Sequence, residues 1–213
     1  MPKLPADVRR AQLIEAAIAV STKEGIDAAT TRRVAREAGV SVGVVHYCFG
    51  TKENLFHEVI RTIVDQMAEL STPEPMPGDD LRSFLSRAAE AYCSAVEVDP
   101  DRRRLTYELT TYTVRTPNAH GLGRLQYDCY LGAAREFFER AAQMTDVRWT
   151  VPVETLARTL IALAEGTTLA WLVDRDGDQL RQVYAAFIDH VLALAEPNGT
   201  AGAALDSETS QPR

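Results

Sequence analysis

The chain has 213 residues, 46% hydrophobic and 25% charged, an ordinary balance for a globular protein with a sizeable core. No uninterrupted apolar run approaches the ~18 residues that span a bilayer, and the opening MPKLPADVRR lacks the apolar centre of a signal peptide, so a cytoplasmic protein with no membrane partner is expected. Cys48, Cys93 and Cys129 are odd in number and widely spaced, which argues against a disulfide framework.

Net charge is −7, but it is unevenly divided. Residues 1–62 hold nine Lys+Arg against seven Asp+Glu, and the remainder fourteen against twenty-three. An acidic body can therefore carry a basic face, which keeps nucleic acid open as a partner.

In chain order the apolar residues recur with helical spacing, and strand signals are almost absent. Leu13, Ile14, Ala17 and Ile18 form a stripe on a first helix ending near Gly25. Val34, Ala35 and Ala38 face inward from a second, Val40 stands beside a turn, and Val45 and Phe49 face inward from a third. Thr51 can cap a fourth helix carrying Leu55, Phe56, Val59, Ile60, Ile63, Val64 and Met67. The proline-rich stretch STPEPMPGDD, residues 71–80, reads as a linker. Further helices are predicted at about 81–98, 101–115, 119–144, 153–174 and 178–196, the first capped by Asp79 or Asp80.

The expected fold is therefore all-α, with about nine helices: an N-terminal helix-turn-helix domain and a larger helical domain. Boundaries are expected at 1–50 for the first domain, 51–70 for a connecting helix, 71–80 for the linker and 81–196 for the second domain. Residues 197–213 are small and polar and are expected to be disordered.

Residues 25–56 carry the functional signal. Thr30-Thr31, Ala38-Gly39-Val40-Ser41, His46-Tyr47-Cys48-Phe49 and Thr51-Lys52-Glu53-Asn54-Leu55-Phe56 stand in the order that a bracing helix, a tight turn and a recognition helix require. This segment, over about residues 9–62, resembles the TetR/AcrR family of bacterial transcription regulators. The resemblance implies operator DNA as partner, homodimerisation through the last two helices, and a small-molecule effector held in the second domain. By resemblance, positions 42 to 44 and 46 to 47 touch DNA.

The side chains agree with that. Thr30 and Thr31 can cap a helix or hold a phosphate, and Arg32 sits in a first turn where only an anion relieves its position. Gly39 suits the turn, whereas Gly43 costs a short helix about 1 kcal/mol unless something approaches closely, either DNA or a neighbouring helix. Val42 and Val44 flank Gly43 as exposed valines suited to thymine methyl groups. His46 stands where the family usually has Tyr, Tyr47 is a phosphate donor, and Lys52 a phosphate anchor. Where the family often has His or Tyr, this chain has Cys48, a small buried residue or a redox handle. Lys3 to Arg10 can serve as a flexible arm.

In the second domain Leu160, Ala164, Leu180, Tyr184, Phe187, Ile188 and Val191 are candidates for the dimer interface, although an intramolecular core has the same pattern. Phe84, Tyr92, Tyr107, Tyr112, Tyr127, Phe137 and Trp171 are candidates for lining an effector pocket. They suit an effector of mixed apolar and polar character, aromatic or cationic. Arg102-Arg103-Arg104 reads as a solvated helix start.

His46, His57, His120 and His190 are scattered, and no metalloprotease, nucleophile-elbow, P-loop or dinucleotide motif occurs, so no catalytic residue, metal ligand or cofactor is expected. The alternatives are an activator rather than a repressor, or a helical scaffold or ligand-binding protein without DNA contact. A scaffold leaves Gly43, the exposed valines and Lys52 without a reason.

Overall fold

The computed structural model describes residues 5–74, 76, 78–116 and 119–198. Among them the chain forms α1 (Ala6–Glu24), α2 (Thr31–Glu37), α3 (Val42–Phe49), α4 (Lys52–Ser71), α5 (Leu81–Val98) and α6 (Pro100–Arg115). Then follow α7 (His120–Thr145), β1 (Val147–Trp149), α8 (Val153–Asp174), α9 (Gly177–Leu192) and β2 (Ala195–Pro197). Thr30, Thr51, Asp80, Asp99 and Asp176 each accept from the backbone N–H three residues on, satisfying a free donor at the starts of α2, α4, α5, α6 and α9. Asp79 instead holds Arg87 and the Met76 amide. Pro75 and Pro77 of the expected linker lie outside the described residues.

Two ends differ from expectation. Helix α1 already runs from Ala6, with Asp7 complementing its dipole, so residues 6–10 are not an extended arm. Residues 1–4 lie outside the described part. The last helix stops at Leu192, because Ala195–Pro197 pairs antiparallel with Val147–Trp149. Two three-residue strands without a shared hairpin turn leave no alternation to read. The indole N–H of Trp149 donates to the Phe138 carbonyl at 3.1 Å, and its ring stands edge-on to Phe138, which fixes this small sheet against α7. Residues 199–213 of the expected tail lie outside the described residues.

The core of the N-terminal head does not close on itself. Leu13, Val34, Val45, Leu55 and Phe56 share one apolar cluster with Leu105 and Leu109 of α6 and Leu122 of α7. A second cluster holds Phe84, Phe138, Leu156, Ile188 and Val191, and a third Cys93, Val96, Trp171, Leu180 and Tyr184. Helix α6 thus supplies part of the interior of the head while belonging to the body.

On the outer side of α5 and α9, Arg181 forks between Glu90 at 2.9 Å and Glu97 at 2.7 Å. Its hydrogen bonds hold both carboxyls below the usual carboxylate range. Stability from such depressed carboxyls is fully present above the unfolded-chain value of about 4.3 and is lost as pH falls through the folded values. All three side chains are at least one-third exposed, so the contribution is modest. Arg181→Met is expected to cost about 1 kcal/mol at pH 7 and clearly less at pH 3. Denaturant melts at both pH values measure it, and an equal loss at the two would remove the ion pairs as the cause.

Candidate nucleic-acid interface and effector cavity

Helices α2 and α3 meet at Ala38-Gly39-Val40-Ser41, where Gly39 takes φ +65°, a conformation L side chains rarely adopt. From α1, Gln12 donates to the Ala38 carbonyl at 2.9 Å and Arg10 to the Cys48 carbonyl. The Arg10 guanidinium also lies 4.6 Å from the centroid of Phe49 and meets Glu58 at 3.6 Å. Helix α1 therefore grips the C-terminal ends of both short helices and sets their angle. Arg10, expected in an arm, is a brace.

Helix α3 buries Val45 and Phe49, which turns Gly43, His46 and Tyr47 outward. Tyr47 is 88% exposed, unusual for an aromatic side chain that covers nothing. The His46 Nδ1 lies 3.0 Å from the Gly50 carbonyl, which can only accept, so Nδ1 carries a proton and Nε2 is left for another partner. Val42 stands at the rim of this face, 37% exposed. Val44 does not match the expectation of a second exposed valine. It is half-buried and packs, with Cys48 one turn on, against the core of the head.

Nothing among the described residues packs against Gly43 closely enough to require a glycine. An added Cβ would meet only Ser41 Oγ, at 3.8 Å, an ordinary contact. Close packing of a neighbouring helix, one of the two accounts the sequence left open, is thereby removed.

At the flanks, Thr30 Oγ1 accepts from the Arg33 amide at 3.2 Å, and half-buried Thr31 opens α2. Arg33 is engaged by Glu24 and Glu37, whereas Arg32 is exposed and makes no hydrogen bond or ion pair among the described residues. The Lys52 ammonium donates to the Ile26 carbonyl at 3.2 Å and lies 5.3 Å from the centroid of Phe56, and burial pulls its pKa down. One of its three N–H groups is thus committed to joining α4 to the α1–α2 loop.

In the body, α4 to α9 enclose a cavity of about 170 Å³. Of the seven expected pocket residues, Tyr92, Tyr107 and Phe137 line it. Phe84 lies behind the wall, stacked on Phe137. Tyr112 packs against the head, and Trp171 sits in the third cluster under Arg175. Tyr127 stands outside the lining and donates to the Glu165 carboxylate at 2.6 Å. Sequence reasoning missed Arg103, Thr106, Tyr130, Glu165 and Thr168, all of which line the cavity.

Tyr92 shares a hydrogen bond with Thr168 at 2.9 Å, and Tyr107 donates to the Glu165 carbonyl at 2.6 Å. Burial raises the pKa of these phenols and pushes that of Tyr127 up to about 12, so all three remain neutral near pH 7.

The arginine triplet is not a solvated helix start. Arg102 meets Glu15 at 3.6 Å and Arg104 donates to the Thr22 carbonyl at 3.2 Å, both on α1. Arg103, rotated by 100° from each, enters the cavity wall. Its face of α6 does have helical spacing, Arg103, Thr106, Tyr107 and Thr110, but these residues are largely polar and leave no apolar stripe to mark it.

The apolar stripe of α9 also turns inward. Leu160, Ala164, Tyr184, Phe187, Ile188 and Val191 line the cavity, and Leu180 is buried in the third cluster. With 3%, 4%, 7% and 1% exposed, Leu180, Tyr184, Ile188 and Val191 have almost no surface to give a partner, so this stripe is intramolecular packing. What α8 leaves outside is, between Glu154 and Asp174 at its two ends, Thr155, Arg158, Thr159, Ala162, Gly166, Leu169, Ala170 and Val173, a face of mostly small and apolar residues with Arg158 as its one charge among the described residues. This helix is long and apolar enough to cross a membrane by length and composition, with mean hydropathy 1.3 over an 18-residue window. Arg158 and Glu165 interrupt its apolar run, which is why no continuous run of that length stands in the sequence. Its inner face packs in the body through Leu156, Ala157, Thr168 and Trp171.

A braced helix-turn-helix with an outward face that serves no packing role, joined through α4 and α6 to a helical body around a cavity, defines a DNA-binding transcriptional regulator. Residues 13–59 match the family model described as bacterial regulatory proteins, tetR family, and residues 81–193 that of the BetI-type transcriptional repressor C-terminal region. The chain belongs to the TetR family.

It is 28% identical over 188 residues to the HTH-type nicotine-responsive transcriptional repressor HdnoR of Paenarthrobacter nicotinovorans, covering 86% of this chain and 95% of that one. Identity to the HTH-type transcriptional regulator BetI 2 of Chromohalobacter salexigens is 25% over 198 residues, 90% of this chain and 93% of the other. A solved transcriptional regulator from Rhodococcus sp. shares the fold with a TM-score of 0.68 at 23% identity, covering 87% of this chain and 97% of its own. These relatives are named as transcriptional regulators, not as enzymes.

Proposed function

We propose that the protein is a cytoplasmic homodimeric repressor, in which two heads address the half-sites of a palindromic operator and a small organic effector in the body releases them. The outward face of α3 carries this reading: Gly43 and Tyr47 are presented to solvent with no packing partner among the described residues to explain them, His46 keeps only Nδ1 engaged, and exposed Arg32 makes no hydrogen bond or ion pair among those residues. In this reading residues 1–50 are the DNA-binding head, α4 is the connection and residues 81–196 are the effector and pairing body. Gly43 admits the DNA backbone or a base edge, Val42 meets a thymine methyl with Val44 supporting it, and His46 offers Nε2. Tyr47, Thr30, Thr31, Arg32 and the N-terminus of α4 at Lys52 take phosphates.

One head reads few bases, and symmetry supplies the rest. The outer face of α8, small and apolar over Ala162 to Val173 beyond Arg158, is the surface we assign to pairing, in place of the α9 stripe. Coupling is supported by α6, which touches the cavity through Arg103 and the head through Leu105, Leu109, Arg102 and Arg104. A small shift of α6 and α4 changes the separation of the two recognition helices and hence their fit to the half-sites. The name of HdnoR, which marks it as a ligand-responsive repressor, supports an organic effector and repression here.

Fragments selected from the source genome should be retarded by the purified protein, with affinity falling roughly a thousandfold or more between 50 and 200 mM salt if six or more phosphates are contacted. Retardation that ignores sequence, or affinity indifferent to salt, would overturn the assignment.

A further inference from the structure

The cavity contains a cation with nothing to neutralise it. Arg103 is 8% exposed, and its Nε is buried without a hydrogen-bond partner. Among the described residues no carboxylate approaches its guanidinium as an ion pair, no acceptor takes a hydrogen bond from it, and no aromatic ring lies beneath it, although Tyr92 and Tyr130 stand nearby in the wall. Its neighbours in the triplet each have a partner on α1: Arg102, although its Nε is also without a hydrogen bond, meets Glu15 as an ion pair, and Arg104 donates to the Thr22 carbonyl, so Arg103 is the one of the three without a charged or hydrogen-bonding partner among the described residues. Buried guanidinium groups are strongly disfavoured unless an anion pairs with them, and they match carboxylates in a two-pronged geometry.

We infer that Arg103 is the anchor for an effector bearing a carboxylate on an apolar or aromatic body. This rests on the reading of the body as an effector domain, and deepens it by naming the chemical class. The rest of the lining suits such a molecule: Val64, Met67, Phe137 and Phe187 take the body, and neutral Tyr130 lines the same cavity with a hydroxyl that can donate. Glu165 is the one acidic side chain on the wall and the natural argument for a cationic effector, as the sequence had suggested. Its carboxylate, however, already accepts from Tyr127, while the Arg103 guanidinium has no hydrogen-bond or ion-pair partner among the described residues. The unsatisfied charge sets the sign of the ligand. The nicotine-responsive relative shows that an amine can act on a protein of this family, so amines belong in the test.

The full-length protein, titrated calorimetrically with 3-phenylpropanoate, octanoate and the matched amides and amines of each, decides it. At least one carboxylate is expected to bind roughly tenfold or more tightly than its amide, with its amine weaker still. In Arg103→Met that preference disappears, and carboxylate and amide bind alike. Arg103→Lys retains part of the preference. The ligand-free Arg103→Met protein should melt at or above the wild-type temperature, because a buried charge without a partner has been removed. If Arg103→Met fails to fold, Arg103→Gln gives the same comparison. Amines or amides binding as tightly as the carboxylates, carboxylate affinity unchanged in Arg103→Met, or no carboxylate of the set binding would each overturn the assignment.

Operator retardation in the presence of each compound separates this proposal from the one beneath it. Arg103-dependent carboxylate binding with operator affinity unmoved leaves the site standing and removes effector release. Release by an amine, unaltered in Arg103→Met, does the reverse.

Discussion

Replacing Gly43 by alanine is expected to stabilise the protein by about 0.5–1 kcal/mol and, in the same molecule, to weaken operator binding by roughly tenfold or more. The two effects have different origins. A glycine within a helix leaves the unfolded chain more freedom than alanine does, and here the structure offers no compensation, since a Cβ would rest at van der Waals distance from Ser41 Oγ. The gain should raise the melting temperature by roughly 2–4 °C per kcal/mol in a chain of this size. The loss arises only where the backbone of α3 comes within a methyl group of DNA. Gly43 lies between Val42 and the His46-Tyr47 pair on the outward face, where a recognition helix would enter the groove. Thermal melts and gel retardation of one preparation measure both. Stability and binding that fall together would mean the glycine serves packing after all; stability that rises with binding untouched would move the DNA away from this face.

How much of this could be read from the chain follows the range of the interactions concerned. The head was legible because its determinants are local. Caps act over three residues, as Thr30 on Arg33 and Thr51 on Asn54 do, and a φ-positive turn declares itself through Gly39. The division of labour within the body was not, because an apolar stripe records that a face is covered without recording what covers it. On α9, Leu180, Tyr184, Ile188 and Val191 looked available for a second copy and instead close the cavity and third cluster. Arg103 is the sharper case. Composition gives three arginines in a row one meaning, yet 100° per residue sends the middle one inward while its neighbours reach α1. Val44 shows the same limit within a single helix: its burial depends on how far the head core extends sideways, which no spacing rule states. Strands β1 and β2 escaped for a related reason, since their pairing joins distant segments too short to alternate.

The second large effect is expected at Gly166. Arginine there should split the proposed dimer into monomers and lower operator affinity by roughly a hundredfold or more, since linked half-sites gain on the order of 10²–10⁴ from simultaneous binding. Gly166 lies in the middle of α8, on the face shared with Thr159, Ala162 and Val173, and a Cβ there meets no atom within 4 Å. A long side chain is therefore free of clashes within one chain, and arginine is the better helix former by nearly 1 kcal/mol. A two-fold axis through this face would bring each new charge and its symmetry copy together among Ala162, Leu169, Ala170 and Val173, with the existing cation of Arg158 nearby, a like-charge arrangement that disfavours pairing. Light scattering of the purified variant gives its mass, and its melting curve shows whether the fold survives. The same helix passes for a membrane span by length and composition, and the variant separates the two explanations of its bare face. If lipid covers it, the arginine should reduce vesicle binding and leave the mass unchanged. If a second copy covers it, the mass should halve, vesicles should make no difference, and operator binding should fall with the mass. A Gly166→Arg protein that remains dimeric and binds its operator as before would place the pairing surface elsewhere on the body.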